Sequence, residues 1–186
     1  MSVTLQPIPR SELQVLADSG LPDSVAARLA EAALPPRFVA QRSLAQLREG
    51  KDSYWCSTFY IVRDSDNLVV GGCGFKDAPS GGRVEIGYGV SPLCRNRGIA
   101  THAVRELLRL AFATDDVSEV LARINPANTP SSRVVQKLDF VKGPVIPDED
   151  GEMVVQWAFR RPLGPSRLGP LVERMPGGGA QFKRQA

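Results

Sequence analysis

The order of strand and helix patterns along the 186 residues predicts an α+β domain: a mixed α/β sheet with antiparallel strands first and a βαβα succession after them. Three observations carry this. Two strand-period stretches, 54–62 and 68–75, flank the turn Asp64-Ser65-Asp66-Asn67 and read as a hairpin. From residue 83 onward strand alternation gives way to helical spacing and then returns, with no internal repeat. Hydrophobic residues make up 42% and charged residues 23%, which supplies one packed core and argues against a disordered chain.

In chain order, 3–6 alternates weakly and is a short first strand. A helix over 11–18 follows, and a second starts near Asp23, where Ala26, Ala27, Leu29, Ala30 and Ala33 form a helical face closed by Leu34-Pro35-Pro36. A short helix over 43–48 ends at Gly50. The stretch from Tyr54 to residue 62 is rich in aromatic and β-branched residues and reads as a strand, with 68–75 as its hairpin partner. The loop 78–82 leads to a strand over 83–90. A helix over 99–113, a strand over 119–124, a helix over 130–138 and strands near Phe140 and over 154–159 complete the domain, 1–162. Residues 163–186 have the Pro/Gly-rich composition of a flexible tail.

Several function classes are excluded by counting. No apolar run approaches the roughly 20 residues of a membrane helix, and the first ten residues lack the pattern of a secretory signal. Cys56, Cys73 and Cys94 are odd in number and form no CxxC pair, and His102 is the only histidine, so neither a disulfide framework nor a metal site is expected. The expected location is cytoplasmic. The net charge of +3 comes from the end of the chain: from Arg160 onward six basic residues face Glu173 alone. A basic tail on a near-neutral body does not describe a nucleic-acid-binding fold, and neither nucleic acid nor membrane is an expected partner.

Chemistry concentrates between residues 83 and 140. Alternation puts Val84, Ile86, Tyr88 and Val90 on one strand face, for the core, and Glu85, Gly87 and Gly89 on the other. Two absent side chains beside a carboxylate mark either a ligand's close approach or a plain solvent-facing edge. The run Ser91-Pro92-Leu93-Cys94-Arg95-Asn96-Arg97-Gly98 then leads into a helix. Its first N–H groups lack intrahelical partners, and with Gly98 and two arginines nearby they suit a phosphate. The run is neither a Walker loop nor a GxGxxG fingerprint, and Gly71-Gly72-Cys73-Gly74 opens no helix.

Arg95-x-x-Gly98-x-Ala100, behind Val90-Ser91-Pro92, resembles the acetyl-CoA signature Q/R-x-x-G-x-G/A of the GNAT acyltransferase superfamily. Asn128-x-x-Ser131, followed by Lys137-x-Asp139-Phe140, resembles that superfamily's N-x-x-S-x-x-x-x-x-K-x-G-F segment. Val84-Glu85-Ile86-Gly87-Tyr88 is similar to the strand before the signature in the branch of ribosomal-protein N-terminal acetyltransferases. The motifs keep the family's order and cover about a third of the chain; Asp139, Gly89 and His102 depart from the pattern.

The resemblance implies a three-layer fold, a twisted mixed sheet of about six to seven strands flanked by helices. It implies an acetyl-CoA-dependent N-acetyltransferase working by direct transfer in a ternary complex, without a metal. The cofactor-binding residues it implies are Val90, Ser91, Arg95, Asn96, Arg97, Gly98, Ile99, Ala100, Thr101 and Asn128, the pyrophosphate resting on the N–H groups from Arg97 to Thr101. Glu85 is the candidate base for the acceptor amine, through water, and Ser131 the candidate acid for the departing thiolate. Each has a plainer reading: Glu85 as a salt-bridged surface residue, Asn128 as a turn former, Ser131 as solvent-facing in a helix that Thr129 caps and Pro130 opens. The alternative function is a non-catalytic acyl-CoA-binding module. The acceptor, a small-molecule amine or a protein N-terminus, and the choice between monomer and homodimer stay open.

Overall fold

A strand buried along its whole length has to be covered on both faces, and Thr58 to Val62 is such a stretch. The computed structural model, which describes residues 2–148 and 150–162, builds the protein around it. The elements are β1 (Val3–Pro7), α1 (Arg10–Ala17), α2 (Asp23–Ala26), α3 (Arg37–Arg48), β2 (Thr58–Arg63), β3 (Leu68–Phe75), β4 (Arg83–Val90), a 3₁₀ turn (Pro92–Cys94), α4 (Ile99–Ala111), β5 (Glu119–Ile124), α5 (Thr129–Lys137), β6 (Val141–Pro147) and β7 (Met153–Arg160). The seven strands form one sheet in the order β1-β2-β3-β4-β5-β7-β6, and only β4 and β5 run parallel. This is the three-layer mixed architecture expected from the sequence.

Alternation along β2 divides the core between the two faces. Tyr60 and Val62 join Leu13, Leu16, Ala40 and Leu44 of α1 and α3. Phe59 and Ile61 join Ile99, Val104, Leu107 and Leu108 of α4, with Val135 of α5. The close pairing of β3 with β4 depends on Gly71, because a Cβ there would lie 2.2 Å from the Gly89 carbonyl oxygen.

Four expectations about where elements begin, end or are capped are corrected by the structure. The second helix stops at Ala26, and Leu29 instead bridges Val69. The reason is a backbone demand: β4 pairs with β3 only as far as Gly71, so Val69 exchanges hydrogen bonds with Arg28 and Ala30 (2.7 and 2.9 Å). The helix expected at 43–48 begins at Arg37, directly after the prolines that end the preceding segment, where Pro36 holds the non-helical cap position (φ −57°, ψ 147°). The strand expected from Tyr54 begins at Thr58, because the aromatic run folds back on the sheet's end. There Trp55 packs edge-on against Phe75 at 5.1 Å, and the Tyr54 hydroxyl donates to the Leu110 carbonyl at 2.7 Å. Finally, Asn128 rather than Thr129 caps α5, its Oδ1 accepting from the Ser131 N–H at 3.1 Å. The tail expected over 163–186 lies outside the described residues. Among the described residues no helix is long and apolar enough to cross a membrane.

Candidate active site

Parallel pairing of β4 with β5 covers only Arg83–Glu85 against Glu119–Leu121. Beyond that point β4 stays with β3 as far as Val90, and β5 stays with β7 as far as Ile124, so the two strands part in a V. Val84 and Ile86 are buried as expected. Tyr88 and Val90, also expected in the core, are only half-buried, because β5 no longer flanks them. Alternate residues of β4 turn their backbone toward β3: the Glu85 carbonyl accepts from Lys76 N–H, and Ser91 N–H donates to the Val70 carbonyl. The peptide groups of Tyr88 and Val90 therefore face the open edge.

The first turn of α5 sits at the mouth of the V. The Tyr88 hydroxyl donates to the Ser131 carbonyl at 3.0 Å and ties strand to helix. Burial pushes the Tyr88 phenol up to about 12, so it remains a neutral donor at ordinary pH.

The chain leaving β4 is fixed by Ser91, which is fully buried and donates its hydroxyl to the Glu31 carbonyl at 2.6 Å. After the 3₁₀ turn, Arg95 Nε donates to the Val90 carbonyl at 3.2 Å. Asn96 (φ 61°) and Gly98 (φ 77°) adopt left-handed backbone, and α4 begins with no side chain capping its N-terminus. Such a turn gathers backbone N–H groups at the positive end of a helix.

A cleft of about 600 Å³ opens here, within the usual size range of small-molecule sites. Tyr88, Gly89 and Val90 form one wall, Arg95, Asn96 and Gly98 to Thr101 a second, and Asn128, Ser131, Arg133 and Lys137 a third. Of the residues expected to hold a cofactor, Val90, Arg95, Asn96, Gly98, Ile99, Ala100, Thr101 and Asn128 line this cleft. Ser91 and Arg97 do not: Ser91 is a buried brace for the strand's end, and Arg97 is exposed to solvent.

A second cleft, about 410 Å³, lies between α3, the segment before it and the ends of β3 and β4. It shares Tyr88, Gly89, Val90 and Arg95 with the first, so the two meet at the end of β4. A Cβ at Gly89 would have nothing within 4 Å, and the strand floor is open there. Glu85 lines neither cleft. Its carboxylate is ion-paired with Lys76, a residue of the second cleft, and lies 3.5 Å from the Arg123 guanidinium. Ser131 lines the first cleft and is half-buried.

Sequence reasoning did not assign Tyr88, Arg133, Lys137 or Lys76 to a site. For Tyr88 strict alternation pointed to the core, and the divergence of β4 from β5 has no local signature. Arg133 and Lys137 did carry a signal: they are four apart on one helix and so share a face. Among the described residues no three His, Cys, Asp or Glu side chains gather as metal ligands would.

Comparison with known proteins adds a family and a set of folds. Residues 3–141 match the model of the acetyltransferase (GNAT) domain family. An uncharacterized N-acetyltransferase, p20 of Bacillus licheniformis, is 34% identical over 89 residues, 47% of this chain and 49% of its own. The chain thus spans about half the length of the curated relatives it matches. Among solved structures, the aminoglycoside acetyltransferase AAC(6')-Ib in complex with coenzyme A superposes with a TM-score of 0.61 at 17% identity, covering 86% of this chain and 95% of that one. RimL, a ribosomal L7/L12 α-N-protein acetyltransferase in complex with coenzyme A, gives 0.61 at 15% identity, covering 86% and 94%. At these identities the structural likeness speaks for the fold alone.

Proposed function

The chain belongs to the GNAT acetyltransferase family, and from that premise we propose that it is an acetyl-CoA-dependent N-acetyltransferase, moving an acetyl group to a primary amine by direct transfer in a ternary complex. The observation that carries this reading is the meeting of two clefts at Tyr88–Val90. One cleft has the backbone of a phosphate site, the other is open to a second reactant, and the shared wall is where their groups would touch.

In this reading the N–H groups of Gly98 to Thr101 hold the pyrophosphate, and Arg95, Arg133 and Lys137 add positive charge. The pantetheine arm follows the open edge of β4, with Asn128 beside it. The N–H of Val90 donates to the thioester carbonyl and is already oriented as negative charge develops on that oxygen. The amine enters by the second cleft and attacks the acetyl carbon. Glu85 receives its proton through water across the Gly87–Gly89 floor, and Ser131, held by Asn128 and Tyr88, protonates the thiolate.

A second reading, a module that holds acyl-CoA without turnover, draws on the ion-paired state of Glu85 outside both clefts. Titration calorimetry with acetyl-CoA, followed by CoA release against a panel of amines, tests both. The enzyme reading expects binding with amine-dependent release. Binding without release from any amine favours the module, and absence of binding removes both.

A further inference from the structure

Resting on the acetyltransferase reading, we infer that the second cleft takes a small apolar amine that itself carries a carboxylate, an α-amino acid type of acceptor. The wall chemistry points there. Phe38 and Val39 of α3 and Pro35 before it supply an apolar side, and Phe38, 62% exposed, stands at the mouth. Arg42, one helical turn beyond Phe38, joins Lys76 and Arg95 as charged lining. Among the described residues, no Asp or Glu lines this cleft. The nearby carboxylates stand behind the lining and each faces a cation: Glu85 faces Lys76 and Arg123, and Asp77 faces Lys51 through both oxygens at 2.9 Å. Burial raises the Asp77 carboxyl, but the Lys51 hydrogen bonds and the field of Arg42, among other contacts, bring it below its ordinary value.

A polyamine or aminosugar acceptor brings several ammonium groups to a cleft whose charged lining side chains, Arg42, Lys76 and Arg95, are all cationic. An amine with its own carboxylate is attracted instead, and a guanidinium such as that of Arg42 matches a carboxylate with two parallel hydrogen bonds. The same cations favour loss of the proton from the bound ammonium, which generates the attacking amine. A cavity of about 410 Å³ admits an amino acid with its side chain on the apolar wall. In the transfer, the nitrogen–acetyl bond forms as the carbon–sulfur bond of acetyl-CoA breaks. One proton leaves the nitrogen and one reaches the thiolate, so the products are an N-acetylamino acid and CoA.

The test uses the full chain. Calorimetric binding of acetyl-CoA is measured first, because its absence defeats the acetyltransferase reading rather than this one. CoA release is then compared for the standard amino acids, their amides, tripeptides beginning with the same residues, and spermidine. The best apolar amino acid is expected to exceed its amide by at least about tenfold in kcat/KM, and spermidine by more. Arg42→Gln removes the acid-over-amide preference through KM, and Arg42→Lys retains part of it, both with wild-type acetyl-CoA affinity. With acetyl-CoA bound, any of three results overturns the inference: amide equal to acid, a preference for spermidine or tripeptides, or turnover with no amino acid. A preference for the acid that survives Arg42→Gln also overturns the assignment.

Discussion

Substituting Gly71 by alanine should damage the site without touching either reactant. The new Cβ would sit 2.2 Å from the Gly89 carbonyl oxygen and 3.1 Å from the Val90 Cα, both backbone atoms that no rotamer change can move. Restoring a tolerable contact of 3.0 Å displaces the end of β4 by about 0.8 Å, in the segment shared by both clefts. Overpacking of this kind costs about 1–3 kcal/mol, and each kcal/mol lowers Tm by about 2–4 °C in a domain of this size. A misplacement near 1 Å at the reacting groups costs about 10²-fold in rate. Gly89→Ala is the control, because its Cβ meets nothing within 4 Å and stability should be unchanged. Thermal melts and CoA release at saturating acetyl-CoA read both effects. Wild-type Tm and kcat in Gly71→Ala would refute the argument that the β3–β4 approach sets the geometry of the transfer point.

Other perturbations have equally definite outcomes. Glu85→Gln should lower kcat by about 10²–10⁴ with little change in acetyl-CoA affinity; unchanged turnover would leave Glu85 only its ion pairs with Lys76 and Arg123. Arg95→Ala should weaken acetyl-CoA binding by about 1–3 kcal/mol by calorimetry, whereas Arg97→Ala, outside the cleft, should do less. The Tyr88 phenol titrates near 12 in the folded protein, raised by burial from an ordinary value of 10.0. The folded state therefore holds this proton more tightly than the unfolded state. Its contribution, on the order of 2 kcal/mol, is intact below pH 10 and falls away as pH rises towards 12. Tyr88→Phe should flatten that part of the alkaline stability profile measured by denaturant melts; Tyr60, raised by burial and its hydrogen bond to Glu12, leaves a residual slope.

What was legible in the sequence follows from how local each interaction is. The strands β3, β4 and β5 agree with their sequence ranges at both ends, because turn residues bound them and their alternation is a property of the strand itself. One wall of the first cleft was legible too, since Gly98 and the start of α4 are contiguous in the chain; the walls from β4 and α5 were legible only in part. The shortened α2 was not. Its helical spacing is present in the sequence, but the bridge from Leu29 to Val69 answers a backbone demand of β3 formed 40 residues away. Ser91 looked like part of the phosphate loop and is a brace to Glu31, a partner no spacing rule anticipates. The second cleft draws on residues 32–42, 58, 72–76 and 87–95 and exists only once α3 lies across the glycines of β3 and β4. Glu85 shares this lesson, since its pairing with Arg123 depends on the parallel register of β4 with β5.

The central claim is that acetyl group and amine meet at Tyr88–Val90 in one complex. Initial rates of CoA release, with acetyl-CoA and the best amine acceptor both varied, test it most directly. Direct transfer between two simultaneously filled clefts predicts double-reciprocal lines that intersect, and no CoA released from acetyl-CoA in the absence of amine. Parallel lines with a burst of CoA before amine is added would mean an acetylated protein intermediate and would contradict the account.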